Sequence, residues 1–136
     1  MKPSNFNILN KPLITNINYE TNYDYFIDNP DGEISIAIDN NIEIQNVENE
    51  NIAKVILSLY IFQNLKIEDV PFKLSVCIEG IFSWEDELNG QAGNLKSLLN
   101  QNAPAILYSY LRPLITIITN ESGMPALVIP LMNFTK

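Results

Sequence analysis

The sequence contains no histidine, one cysteine, and only eight lysines and arginines against sixteen aspartates and glutamates. Each shortage excludes a class of chemistry. Without histidine there is no Ser-His-Asp or Cys-His nucleophile system, no imidazole acid–base step and no His-ligated metal. With Cys77 alone, no disulfide can close within the chain, which fits a reducing cytosol. The net charge is -8 and the basic residues are scattered, so the clustered cations that neutralise phosphates are missing and nucleic acid is not expected as a partner. An anionic membrane surface would repel the same charge. No Gly-rich phosphate loop is present, and no cofactor is expected. The opening "MKPSNFNILNKPL" lacks the continuous apolar stretch of a secretory signal, so the expected location is cytoplasmic.

What the sequence does hold is apolar surface. Hydrophobic residues make up 46% of its 136 positions, enough for the core of a single domain over residues 1–136. Carboxylates are available in "SWEDEL", at Glu85, Asp86 and Glu87. Nothing apolar nearby would tune one against another, so they read as a solvated loop between a strand and a helix. An enzyme is not expected; binding through contact surface is.

The fold class is expected to be α+β. "FNILNKPLITNINYE" mixes Ile and Leu with Asn and reads as a partly exposed strand broken near Pro12. "TNYDYFIDNPDG" ends in turn chemistry at Asn29-Pro30-Asp31-Gly32, with Tyr23, Tyr25 and Phe26 before it. In "EISIAIDNNIEIQNV", Ile34, Ile36, Ile38, Ile42 and Ile44 alternate with more polar residues, as in a strand with one wetter face. "IAKVILSLYIF" is apolar on both faces and suits a central strand. "FKLSVCIEGIF" alternates again, with Phe72, Leu74, Val76 and Ile78 on one face and Cys77 on the other. Short connections favour antiparallel neighbours, so a four-stranded antiparallel meander is expected.

Helix follows the sheet. "NLKSLLN" reads as a short helix or turn. "NAPAILYSYLRPLITIIT" then has Asn102 as the expected N-cap, and Pro113 should kink it. A membrane span needs about 20 apolar residues in a row, and Arg112 and Pro113 interrupt this run. The helical pattern places Ile106, Leu107, Tyr110, Leu114, Ile117 and Ile118 on one side and Tyr108, Leu111 and Ile115 on the other. A helix apolar all round must be buried all round, and one sheet covers one side. A second copy of the chain is the simplest cover. Its interface is expected at Ile106, Leu107, Tyr110, Leu111, Leu114, Ile115 and Ile118.

Three stretches in order carry a resemblance: "EGIFSW", "NAPAILYSYLR" and "GMPALVIPLMNF". Together they resemble the SecB family of bacterial export chaperones, along nearly the whole chain. That resemblance implies a SecB-like fold, a four-stranded antiparallel sheet with a long helix packed on it, assembled as a dimer or tetramer. It implies an ATP-independent holdase that binds unfolded or nascent polypeptides in apolar grooves, with no nucleotide or metal. The family's loop after the first strand lines the groove, which points to Tyr23, Tyr25 and Phe26; Tyr108 is a further candidate, with oligomer packing its simpler reading. The family also implies SecA as a partner. Of its acidic positions Glu20 matches and Asn16 stands at a second, while Glu68 and Asp69 offer another acidic contact. The chain stops at "NFTK", where the typical member continues into a helix and an acidic tail, and the family's helix proline falls at Ser109, with Pro113 one turn on. These departures weigh against SecA. Two narrower roles stay open: a dedicated chaperone of one partner such as an antitoxin, and an adaptor subunit on the same fold.

The all-round apolar helix makes one prediction. At micromolar concentration the native mass should be at least twice the 15.4 kDa of one chain, measured by native mass spectrometry.

Overall fold

The computed structural model describes residues 5–29 and 35–134. Five strands form one antiparallel sheet: β1 (Phe6–Ile8), β2 (Leu13–Thr21), β3 (Ile38–Asn46), β4 (Ile52–Ile61) and β5 (Phe72–Trp84). β1 and β2 lie in succession along the same edge of β5, with Phe6 opposite Trp84 and Thr21 opposite Phe72. Pro12 sits between them, where the missing N–H interrupts the ladder, as expected. The sheet is therefore four strands wide.

Its order is not a meander. β5 and β4 are central, β3 forms one edge, and β1 with β2 forms the other. The first strand pairs with the last, which is the Greek-key arrangement. Direct antiparallel connections do join β3 to β4 and β4 to β5, the second by way of a helical turn at Ile67–Asp69. The connection from Thr21 to Ile38 is longer, and it carries the chain across three strand spacings, about 14 Å. β3 also begins at Ile38, so Ile36 precedes it. Ile34 and the Pro30-Asp31-Gly32 turn lie outside the described residues.

One face of the sheet carries the core. Val55, Leu57, Leu59 and Ile61 of β4 pair in register with β5 beside Leu74, Val76, Ile78 and Phe82, and all eight are buried. The opposite face, with Lys54, Ser58, Tyr60, Lys73, Ser75 and Cys77, is half-exposed. Phe62 breaks the alternation. By period it would join the outer face, yet its φ of 59 turns it onto the buried side, where it meets Phe72 edge-on at 5.4 Å. A left-handed aromatic residue stores strain, held here by packing.

The helical region runs without a break from Ala92 to Glu121: α2 (Ala92–Ser97), a π turn (Leu98–Asn102) and α3 (Ala103–Glu121). A four-residue helix, α1 (Tyr25–Asp28), precedes β3; in chain order it stands before both. Asn102 is not an N-cap. It has helical dihedrals inside the run and makes no capping bond. Pro104 cannot donate to the carbonyl of Asn100, and the wide π turn accommodates that missing bond without ending the helix. α3 also continues through Pro113.

α3 is not buried all round. Ala103, Leu107, Leu111 and Ile115 form the row that packs on the sheet, and all are buried. Leu107 sits close over Gly80, where an added Cβ would lie 3.0 Å from its methyl group. Of the expected oligomer interface, Leu107, Leu111 and Ile115 are thus spent on the chain's own core and offer nothing to a second copy. Ile106, Leu114 and Ile118 are half-buried and Tyr110 is exposed, with Ile117 beside them on the outer row. The i, i+4 row from Leu107 decides which side faces in.

Past Ser122, Gly123 at φ 81 ends the helix. The Met124 amide bonds to the Thr119 carbonyl at 3.0 Å and the Gly123 amide to Asn120 at 3.3 Å, a Schellman motif. Residues 124–134 then run back along α3 without regular structure.

Leu111→Ala should remove about 2–5 kcal/mol of folding stability in urea denaturation. Ile117→Ala, on the exposed row, should change the stability of a single chain by no more than about 0.5 kcal/mol.

Candidate functional site

The loop after β2 is built on Asn22. Its amide bonds to the Pro71 carbonyl at 2.7 Å, and its carboxamide donates to the carbonyls of Ile67 at 3.0 Å and Val70 at 3.2 Å. One side chain so fastens the start of the loop to the turn before β5. The expected client residues then separate. Tyr25 is only 7% exposed, and its ring meets Phe26 edge-on at 5.3 Å. It supports the loop from below and is not a contact surface. Tyr23 is exposed, but its hydroxyl donates to the Ser122 carbonyl, tying the loop to the end of α3. Tyr19 bonds Ser122 as well, hydroxyl to hydroxyl, at 2.6 Å.

Phe26 is the loop aromatic that faces an open site. It is 38% exposed and lines a hollow of about 190 Å³ with Ile36, Phe62, Phe72, Met124 and Leu127, closed by Pro71, Pro125 and Ala126. No charged residue lines it. Four separate segments meet here: the loop after β2, the approach to β3, the β4–β5 corner and the start of the C-terminal segment. Sequence periodicity missed Phe62 because its left-handed turn inverts the pattern. It missed Met124 and Leu127 because their segment has no period to read. The Gly123–Pro125 pair, a helix stop followed by a proline, was the available signal.

Tyr108 is covered by the chain's own C-terminal segment. It is 3% exposed, lies edge-on to Phe134 at 5.8 Å, and donates its hydroxyl to the Pro130 carbonyl. The same segment is held by Arg112, whose Nε donates to the Ile129 carbonyl at 3.1 Å, and by Thr116, whose hydroxyl donates to the Leu127 carbonyl at 2.7 Å. Thr119 accepts the Leu127 amide at 2.9 Å.

The acidic residues gather at one corner. Glu20 stands opposite Lys73 near the end of β2, and Asn22 holds the turn that carries exposed Glu68 and Asp69. Asn16 lies elsewhere, opposite Cys77 on the outer face. In the "SWEDEL" loop Asp86 accepts from Asn51 at 2.5 Å and Glu87 from Asn5 at 3.2 Å, so these carboxylates brace the loop. Among the described residues no group of carboxylates and cysteine has the arrangement of a metal site. No helix among them is long and apolar enough to cross a membrane.

Comparison with known proteins adds three findings. The family model described as preprotein translocase subunit SecB matches residues 10–136. A Mycobacterium tuberculosis SecB-like chaperone, solved in complex with a ChAD peptide from the HigA1 antitoxin, superposes with a TM-score of 0.68 at 9% identity, covering 95% of this chain and 88% of that one. A protein of unknown function from Streptococcus agalactiae gives a TM-score of 0.46 at 14% identity, covering 93% of this chain and 99% of that one. No curated protein matches the sequence.

Burial raises the Tyr108 hydroxyl above its usual pKa of 10.0, with Arg112 opposing in part. Burial raises Tyr19 too, against the bond to Ser122. A pKa raised on folding means the folded state keeps its proton longer, so the stability is whole below pH 10 and falls as the pH climbs past it. Alkaline unfolding of Tyr108→Phe, followed by circular dichroism, should therefore show a shallower loss above pH 10 than the native chain.

Proposed function

This chain belongs to the SecB family, and on that premise we propose that it is an ATP-independent holdase for unfolded or nascent polypeptides. The observation that carries the reading is the uncharged hollow at Phe26, open to solvent in a chain of net charge -8. Unfolded chains expose apolar side chains, and a hollow lined by aromatic rings and Met gains contact area with little entropy to lose. The client contact is Phe26 with Phe62, Phe72 and Met124. Tyr23 acts as a tether for the loop, and Tyr25 as its support. The acidic surroundings favour basic client segments.

A dedicated role is the second reading, and the fold neighbour favours it: that SecB-like chaperone holds a peptide from an antitoxin. A client of this kind would be a single partner protein in the cytoplasm. Export through SecA would use the corner of Glu20, Glu68 and Asp69. Assembly of two or more copies would use the outer row of α3, Ile106, Tyr110, Leu114 and Ile117, where apolar side chains stand half-buried or exposed. Each such side chain covered by a neighbour contributes up to roughly 1.5–3 kcal/mol.

Titration calorimetry with a permanently unfolded polypeptide tests the reading. Binding should be selective for the unfolded form and carry a negative heat-capacity change. Phe26→Ala should weaken it by about tenfold, with native mass unchanged. Equal affinity in this variant would place the client elsewhere. Failure of every unfolded polypeptide except one partner segment would select the dedicated role.

A further inference from the structure

Residues 124–134 form a strap whose seat on α3 reads backbone more than side chains. Tyr108, Arg112, Thr116 and Thr119 recur every three or four residues, so they share one helix face. All four bond main-chain atoms of the strap, at Pro130, Ile129 and Leu127. Carbonyls and amides are the same in almost every residue, so such a ladder accepts any extended chain. Side chains are read only by depth: Met124 and Ile129 are buried and Leu127 half-buried, while Val128 and Leu131 are 71% and 82% exposed. Pro125 and Pro130 carry no N–H, so they keep the strap extended and limit its pairing with a sheet edge.

We infer that this face of α3 is a second binding surface, for extended polypeptide main chain, and that the strap is its internal occupant. A client segment with apolar residues at the spacing of Leu127 and Ile129 takes the place of the strap from Leu127 onward, while Met124 stays in the wall of the Phe26 hollow. The inference rests on the holdase reading. It also extends the site already described, because Met124, Pro125, Ala126 and Leu127 wall the Phe26 hollow. A client entering that hollow meets the first residues of the strap, and its continuation runs along the ladder. Binding must displace a tethered competitor, so the measured affinity is the intrinsic one multiplied by the fraction of molecules with the strap released.

The test separates occupant from seat. Calorimetric affinity for reduced, alkylated lysozyme is compared among the native chain, Ile129→Ala, Val128→Ala and Phe26→Ala. Ile129→Ala loosens only the strap and should bind about tenfold more tightly. Val128→Ala, at an exposed strap position outside the ladder, should bind as the native chain does. Hydrogen exchange should show the Leu127 amide released on binding while the amides of α3 stay protected. If Ile129→Ala binds no better, or the strap amides become slower to exchange, the strap inference falls. Should Phe26→Ala still weaken binding in that case, the holdase reading stands. If the native chain binds no unfolded polypeptide, both fall. Where Ile129→Ala does not fold, Ile129→Val with a two- to threefold gain, roughly, and exchange in the native chain decide the same question.

Discussion

The structure depends on one contact, the row of Leu107, Leu111 and Ile115 laid on the inner face of β4 and β5. All three are fully buried, against strands whose inward residues are themselves buried. The sheet alone would leave Leu57, Leu59, Val76 and Ile78 in water, and a sheet with one bare apolar face does not persist. The helix alone could not stay ordered. Gly80 permits the approach by presenting no Cβ beneath Leu107. Everything functional is hung from this pairing.

The other face of α3 then has two tasks. Its polar positions hold the strap, and its outer row stays apolar and open. Polar side chains in a helix this hydrophobic would be costly if unpaired, but each finds a partner. Thr119, fully buried, donates to the Ile115 carbonyl at 2.9 Å and accepts the Leu127 amide. Arg112, the lone charge in the apolar run, caps the Ile129 carbonyl. The loop after β2 is fixed to the same helix end through Tyr19 and Tyr23 on Ser122. Loop, strap and helix terminus thus form one connected edge around the Phe26 hollow.

Much of the sheet was legible. The alternation in "FKLSVCIEGIF" places Leu74, Val76 and Ile78 inward and Cys77 outward, as found, because a period of two leaves no other choice once one face is buried. The break at Pro12 was legible for an equally local reason. Of the residues that line the hollow, the sequence pointed to Phe26 alone. Tyr25 and Tyr108 have the same aromatic character, yet one lies beneath its loop and the other beneath the strap, and composition does not distinguish a ring that covers from a ring that is covered. Phe62 was hidden because a single left-handed residue inverts the side its neighbours predict.

The sequence by itself determined the elements, the family and the absence of histidine chemistry, since these follow from local periodicity, motif order and composition. Strand order, the facing of α3 and the location of the hollow were decided by tertiary structure. A strand's partner depends on where the long connection after Thr21 lands. A helix apolar on most sides can turn any of them inward until a sheet selects one. The hollow exists only where four distant segments meet around Phe26, and no stretch of sequence contains it.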